Sequence, residues 1–246
     1  MREFYLGFKF AFSYFSILPV WFKKEDDLST KNTLASMLFF LPLVGLVLGF
    51  ITIMIASFGG WLAALIAAVL YMILYGFIHT EAVCDVADAI YAKHSEKDAY
   101  KVIKEPTIGA MGLFYGLAFF ALKVGAIVAL FLEGKYIEFA TVLLISRLSL
   151  LVLIKILSFK STFINSLKNA LDMRYLIASF LLFSFVGLGF IGSEFLFFLL
   201  FGAVLSYIIA RFIGAKLGFI NGDVLGVTLE SVEIILFIMI GAYNVV

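Results

Sequence analysis

The chain has 246 residues, 64% of them hydrophobic and 14% charged, with 29 phenylalanines and a net charge of +1; its mean hydropathy is +1.13. A water-soluble domain of this size would lack the polar surface to cover itself, so the composition excludes an ordinary globular protein and predicts an all-α, polytopic integral membrane helical bundle. The single cysteine, Cys84, excludes an internal disulfide and a cysteine-rich metal cage, and at about 20 residues per span the length leaves no room for a separate soluble domain.

The first apolar run, 4–22, lies in "MREFYLGFKFAFSYFSILPVWFKK", which has no small-residue cleavage site and carries Lys9, Pro19 and Trp21. It reads as part of the mature chain, either an eighth span or a re-entrant or interfacial segment. Seven further runs follow at about 34–57, 61–79, 108–132, 139–157, 175–192, 195–210 and 224–244. Residues 1–246 are therefore one membrane domain of about seven transmembrane helices plus the N-terminal segment. Glycines in several runs suit close helix packing, and a homo-oligomer is one arrangement they allow.

The connections alternate in charge. "FGGW", "LEGKYIE" and "IGSE" contain only Lys135, whereas the other set holds Lys23, Lys24, Lys31, Lys93, Lys97, Lys101, Lys104, Lys155, Lys160, Lys168, Arg174, Arg211 and Lys216, which is 13 of the 18 basic residues. The positive-inside bias puts that face in the cytoplasm. The longest polar stretch, about 80–107, then becomes the main cytoplasmic loop.

That loop opens with "HTEAVCDVADAI", residues 79–90. On a helix Glu81, Asp85 and Asp88 fall within an arc of about 60° and share one face. Three like charges at this spacing repel one another, so a cation belongs among them, and oxygen donors at this density suit a hard divalent ion such as Mg²⁺, which also takes phosphate and water as ligands. The plain alternative is a solvated face paired with Lys93 or Lys97. Position at the end of an apolar run favours the cation site, because charges at a membrane surface are costly unless used. His79 reads first as an interfacial histidine bonded to backbone. Cys84 points elsewhere on the same wheel, which excludes a zinc site built from His79, Cys84 and Asp88.

Two more polar islands follow. In "KEPTIGAMG", residues 104–112, Pro106 breaks the helix, Gly109 and Gly112 let the backbone approach a ligand, and Lys104 is placed to meet a phosphate near the free N–H groups of the next helix. An ordinary Pro-Gly loop is the simpler reading of the same residues. In "LGFINGDVLGVTLE", residues 217–230, Asn221 and Gly222 signal a turn and Asp223 suits the cap of the last span. Glu230 and Glu233 lie inside that span and need partners or water; Arg147 and Lys123 are the intramembrane cations that could supply the pairing.

Together these islands resemble the cobalamin synthase family, the membrane adenosylcobinamide-GDP ribazoletransferases. "HTEAVCDVADA" is similar to the family's HxDGxxDxxDG stretch, "FSYFSILPV" to its opening, "FFLPLVGLVLG" with Pro42, Gly45 and Gly49 to its first long span, "IKEPTIGAMG" to its KDxRIGxxG loop, and "LGFINGDVLGVTLE" to its GDxxGxxxE segment, while Arg147 stands in the usual "SR" pair. The chain departs from the pattern at Glu81 for Asp, Ala82 and Ala89 for Gly, Glu105 for Asp and Thr107 for Arg. The resemblance implies joining of adenosylcobinamide-GDP to α-ribazole or its 5′-phosphate, with release of GMP. It implies Mg²⁺ at Glu81, Asp85 and Asp88, with Asp88 or Asp223 as the proton acceptor. Substrate contacts are then expected from His79, Lys104, Gly109, Gly112, Arg147, Asn221, Asp223 and Glu230.

Two other functions fit parts of the pattern. A CDP-alcohol-type phosphotransferase also places spaced acids at a membrane surface, but nothing after Glu81 matches its Ala-Arg pair. A cation transporter could use Asp85, Asp88, Glu230 and Glu233 as a path, though transporters set their acids nearer the midplane. No nucleic-acid partner is expected.

Overall fold

A computed structural model describes residues 2–242, and among them twelve helices and no strands follow one another. They are α1 (Arg2–Phe15), α2 (Lys31–Phe39), α3 (Leu41–Ala56), α4 (Gly60–Leu74), α5 (Ile78–His94) and α6 (Ala99–Val102), then α7 (Ala110–Leu132), α8 (Tyr136–Ile156), α9 (Thr162–Ala170), α10 (Met173–Ile191), α11 (Glu194–Leu217) and α12 (Gly222–Ala242). Five are long and apolar enough to cross a membrane, or seven spans in all if the bent pairs α2–α3 and α4–α5 each count as one. This is the polytopic bundle that the composition dictates. Residues 243 and 244, the end of the last expected span, lie outside the described residues.

Local chemistry sets the helix ends. The side chains of Thr30, Asp98, Ser161 and Asp172 accept the early N–H groups of α2, α6, α9 and α10. Pro42 sits in the first turn of α3, where a missing N–H costs nothing, and α2 and α3 meet there at 42°.

The expected run 61–79 is a single span only in part. The chain leaves α4 through Gly76 at φ 66° and Phe77 at φ 54°, and α5 sets off at 74° to α4. Two successive left-handed residues cannot continue a right-handed helix. The Ile17 N–H then donates to the free Leu74 carbonyl at 2.9 Å, closing the end of α4. The run expected at 195–210 continues to Leu217 in α11.

The 4–22 run is not an eighth span. Its helix, α1, stops at Phe15 after 14 residues, about 21 Å, short of a hydrocarbon core of roughly 30 Å. It lies along α2, where the absence of a side chain at Gly7 admits Ser36 and the Thr33 carbonyl. Asn32 donates to Glu3 at 2.8 Å and Arg2 pairs with Asp26 at 3.0 Å, clasping the N-terminus to the following loop.

The core is built on α8, apolar on every side and buried against α3, α10, α11 and α12. α12 is the second buried helix and touches α5, α7, α8 and α11. By contrast α7, α10 and α11 leave long apolar rows outward, Phe114, Phe185 and Leu200 among them, as helices facing lipid do. The basic connections converge at one end of the bundle. Lys93 Nζ donates to the Lys216 carbonyl at 2.8 Å, the Lys160 N–H to the Ile220 carbonyl at 2.7 Å, and the Tyr100 and Phe219 rings meet edge to face at 5.2 Å.

Candidate functional site

The stretch read as a loop from about 80 to 107 is mostly helix, and α5 carries all three acids. The spacing of four and three residues does what helical geometry requires: Glu81 is exposed and Asp85 and Asp88 are half-buried on neighbouring turns.

Asp88 is committed to the backbone. Its two oxygens accept the Gly109 N–H at 2.6 Å and the Gly112 N–H at 2.7 Å. An anion does sit at the start of α7, and it is this side chain; the two glycines admit the close approach of α5. A Cβ at Gly109 would fall 2.6 Å from an Asp88 oxygen, and one at Gly112 would fall 2.7 Å from the Cys84 carbonyl. Cys84 itself is buried with its sulfur against Gly116.

Asp223 completes the acidic group from the far end of the sequence. The expectation that it caps α12 is corrected: Asn221 is the cap, accepting the Val224 N–H on Oδ1 at 3.2 Å. Its amide nitrogen holds Asp223 Oδ2 at 2.6 Å. The charges of Asp223, Glu81 and Asp88 all act on Asp85. Gly226 permits the approach of α12 to α5, because a Cβ there would lie 2.7 Å from the Ala82 Cβ. Among the described residues no ion pair ties any of these four carboxylates to Lys or Arg. Of the two alternative partners, Lys93 donates to the Lys216 carbonyl and Lys97 makes no ion pair with them among the described residues.

These acids supply hard oxygen donors with uncompensated charge, which fits Mg²⁺ and not zinc. Among the described residues no three His, Cys, Asp or Glu side chains converge into a ready cage.

A cavity of about 120 Å³ adjoins Asp223, lined by His79, Ala82, Gly226, Tyr14, Phe163 and their neighbours. His79 is 8% exposed and packs beside the Tyr75 ring at 5.3 Å. Its ring makes no backbone hydrogen bond among the described residues, and it lines the cavity beside Asp223. Tyr14, which the sequence reading did not single out, reaches the cavity from α1 and stacks near Phe163 of α9 at 5.2 Å. Its only sequence signal is the aromatic opening "FSYFSILPV".

Arg147 and Glu230, expected at the substrate, are instead buried in a charge network and absent from this cavity's lining. Lys123 pairs with Glu230 at 2.6 Å and with Glu233 at 2.7 Å, and Arg147 pairs with Glu233. Tyr75 donates to Glu230 at 2.6 Å, while Tyr71 accepts from Arg147 at 2.9 Å and bonds Glu233. Two cations and two anions cancel, which is what makes burial of four charges tolerable. The network reaches the site through the Tyr75 hydroxyl, 3.1 Å from Thr80 on α5.

Lys104 is exposed, with its ammonium 4.0 Å from the Tyr100 ring centroid; Lys160 approaches the same ring at 3.8 Å. The two leave positive charge free at the basic end of the bundle, near Phe219 and hence near the start of α12.

A family profile described as cobalamin-5-phosphate synthase matches residues 7–241 of the chain. An adenosylcobinamide-GDP ribazoletransferase of Brevibacillus brevis is 23% identical, over 96% of this chain and 98% of its own. Proteins of the same name from Chlorobaculum parvum and Chlorobium phaeovibrioides are 29% and 30% identical, over 81% and 84% of this chain and 83% and 88% of theirs. No solved structure matches significantly.

Proposed function

The chain belongs to the cobalamin-5-phosphate synthase family, and from that premise we propose that it joins adenosylcobinamide-GDP to α-ribazole or its 5′-phosphate with release of GMP. The observation that carries the reading is the acidic group of Glu81, Asp85 and Asp223, which no Lys or Arg pairs with among the described residues and which adjoins a cavity lined by Asp223 and His79. Assembly of the cobalamin nucleotide loop requires transfer of a phosphoryl group between two oxygens, and positioned charge is what such chemistry needs most.

Glu81 and Asp85 are the residues that would hold Mg²⁺. Bound there, the ion would offset negative charge on the phosphoryl oxygens and the departing nucleotide. Asp88 positions rather than reacts: its bonds to Gly109 and Gly112 fix α5 against α7 and keep the neighbouring acids in register. Asp223 is the better proton acceptor, because Asn221 orients one of its oxygens and the residue lines the cavity. The ribazole hydroxyl oxygen forms a bond to the phosphorus that carries cobinamide, its proton passes to the Asp223 carboxylate, and the bond to the GMP oxygen breaks. Lys104 and Lys160 attract the anionic substrates to this end. We place the site on the cytoplasmic side of a prokaryotic inner membrane from the clustering of basic loops there.

A cation path is less well supported, since Glu230 and Glu233 are held by Lys123 and Arg147 and are not free to carry ions. The deciding assay supplies the purified protein with adenosylcobinamide-GDP alone and with α-ribazole 5′-phosphate added. GMP release only in the presence of both is the expected result. Release that ignores the acceptor, or none from folded protein, would overturn the proposal.

A further inference from the structure

On the other side of α5 from Glu81 and Asp85 lies a groove of about 430 Å³ between α5, α7, α11 and α12. Its walls are apolar, from Val86, Ile90, Phe119, Ile209 and Phe212, whereas Tyr91, Tyr115, His94 and Lys216 also line it. The Tyr91 and Tyr115 hydroxyls are 3.1 Å apart, and the Lys216 ammonium lies 5.0 Å from the Phe212 ring centroid. No carboxylate lines the groove, and among the described residues Lys216 has no acidic partner. Phe212 and Tyr115 remain 61% and 42% exposed, so the groove opens on the outer surface of helices that are long enough to cross a membrane.

We propose that this groove binds an anionic phospholipid, with an acyl chain between α7 and α11 and the phosphate at Lys216 and His94. The position dictates the apolar half of the ligand: a lateral groove between spanning helices faces lipid tails. Charge dictates the other half. A basic pocket between spanning helices at the positively charged end of a bundle attracts acidic head groups, and tyrosines belong at that level with their hydroxyls toward the head-group region. The bound lipid packs against the side of α5 opposite its acids and braces the helix that carries them.

The test is native mass spectrometry of the purified full chain in detergent, titrated with phosphatidylglycerol or phosphatidylcholine. The wild type is expected to retain phosphatidylglycerol about tenfold better, and Lys216→Glu to lose about tenfold of that retention. Ile209→Trp, which fills the groove, is expected to lower binding of both lipids. Elution volume and helical circular dichroism confirm folding, and Lys216→Gln replaces the charge reversal if that variant fails to fold. Equal retention of the two lipids by the wild type, or unchanged retention in the Lys216 and Ile209 variants, overturns the proposal. So does a change of oligomeric mass in Ile209→Trp without loss of lipid, which would assign the groove to a second copy of the chain.

Discussion

Asp88 and Asp223 separate two uses of a carboxylate. Asp88 gives both oxygens to backbone N–H groups, so Asp88→Asn puts an amide donor against a donor and should cost about 1–3 kcal/mol of stability, read as a lowered melting temperature, with turnover falling alongside. Asp223→Asn keeps the α12 cap on Asn221; it should leave melting nearly unchanged while GMP release drops by about 10²–10⁴-fold. Equal melting losses in the two variants would contradict this division. The shared face of Glu81, Asp85 and Asp88 was legible in their spacing, because helical periodicity is local. The partner of Asp88, 21 and 24 residues further on, was not, and neither was the arrival of Asp223. Both depend on how closely two helices approach, which Gly109, Gly112 and Gly226 set through the side chains they lack.

At the scale of elements, the long apolar runs were readable because membrane thickness imposes a length that composition displays. The break between α4 and α5 was not readable, since the expected apolar run 61–79 passes over it and only Gly76 hints at it. Gly76→Ala would force a side chain into φ 66° with Ile17 Cγ2 3.3 Å away; we expect a loss of about 1 kcal/mol or more in chemical unfolding. Lys168 sits outside the site yet donates its ammonium to the Leu157 carbonyl at the end of α8, so Lys168→Ala should lower stability by about 1 kcal/mol without altering the chemistry. The clasp on α1 carries its own pH dependence. The Lys23 N–H and the Arg2 guanidinium hold Asp26 below the usual carboxylate range. A depressed carboxylate stabilises the fold above its unfolded pKa, near 4, and that contribution disappears as pH falls through the folded value. The protection factors of α1 amides, which are exchange rates corrected for the intrinsic effect of pH, should fall on acidification below that point, and Asp26→Asn should remove the dependence.

The whole molecule combines a neutral, buried charge network with an uncompensated acidic group at the end of the bundle where the basic loops meet. Sequence reading could name Lys123, Arg147, Glu230 and Glu233 as intramembrane charges; it could not pair them, because they come from three helices whose rotations only packing fixes. Removing one member should be severe: Glu233→Gln leaves Arg147 and Lys123 against a single remaining anion and is expected to cost about 3–5 kcal/mol or prevent folding in detergent. The acidic group behaves oppositely, since Asp85→Asn relieves repulsion with Asp223, Glu81 and Asp88 and should melt no lower than the wild type. The central claim is that this group performs phosphoryl transfer, and it is tested most directly by measuring GMP release from adenosylcobinamide-GDP and α-ribazole 5′-phosphate as Mg²⁺ is titrated, in wild type and Asp85→Asn side by side. Magnesium-dependent release by the wild type, absent or shifted to much higher Mg²⁺ in a folded Asp85→Asn protein, is the predicted result. Release that is indifferent to Mg²⁺, or an identical titration in the two proteins, would contradict it.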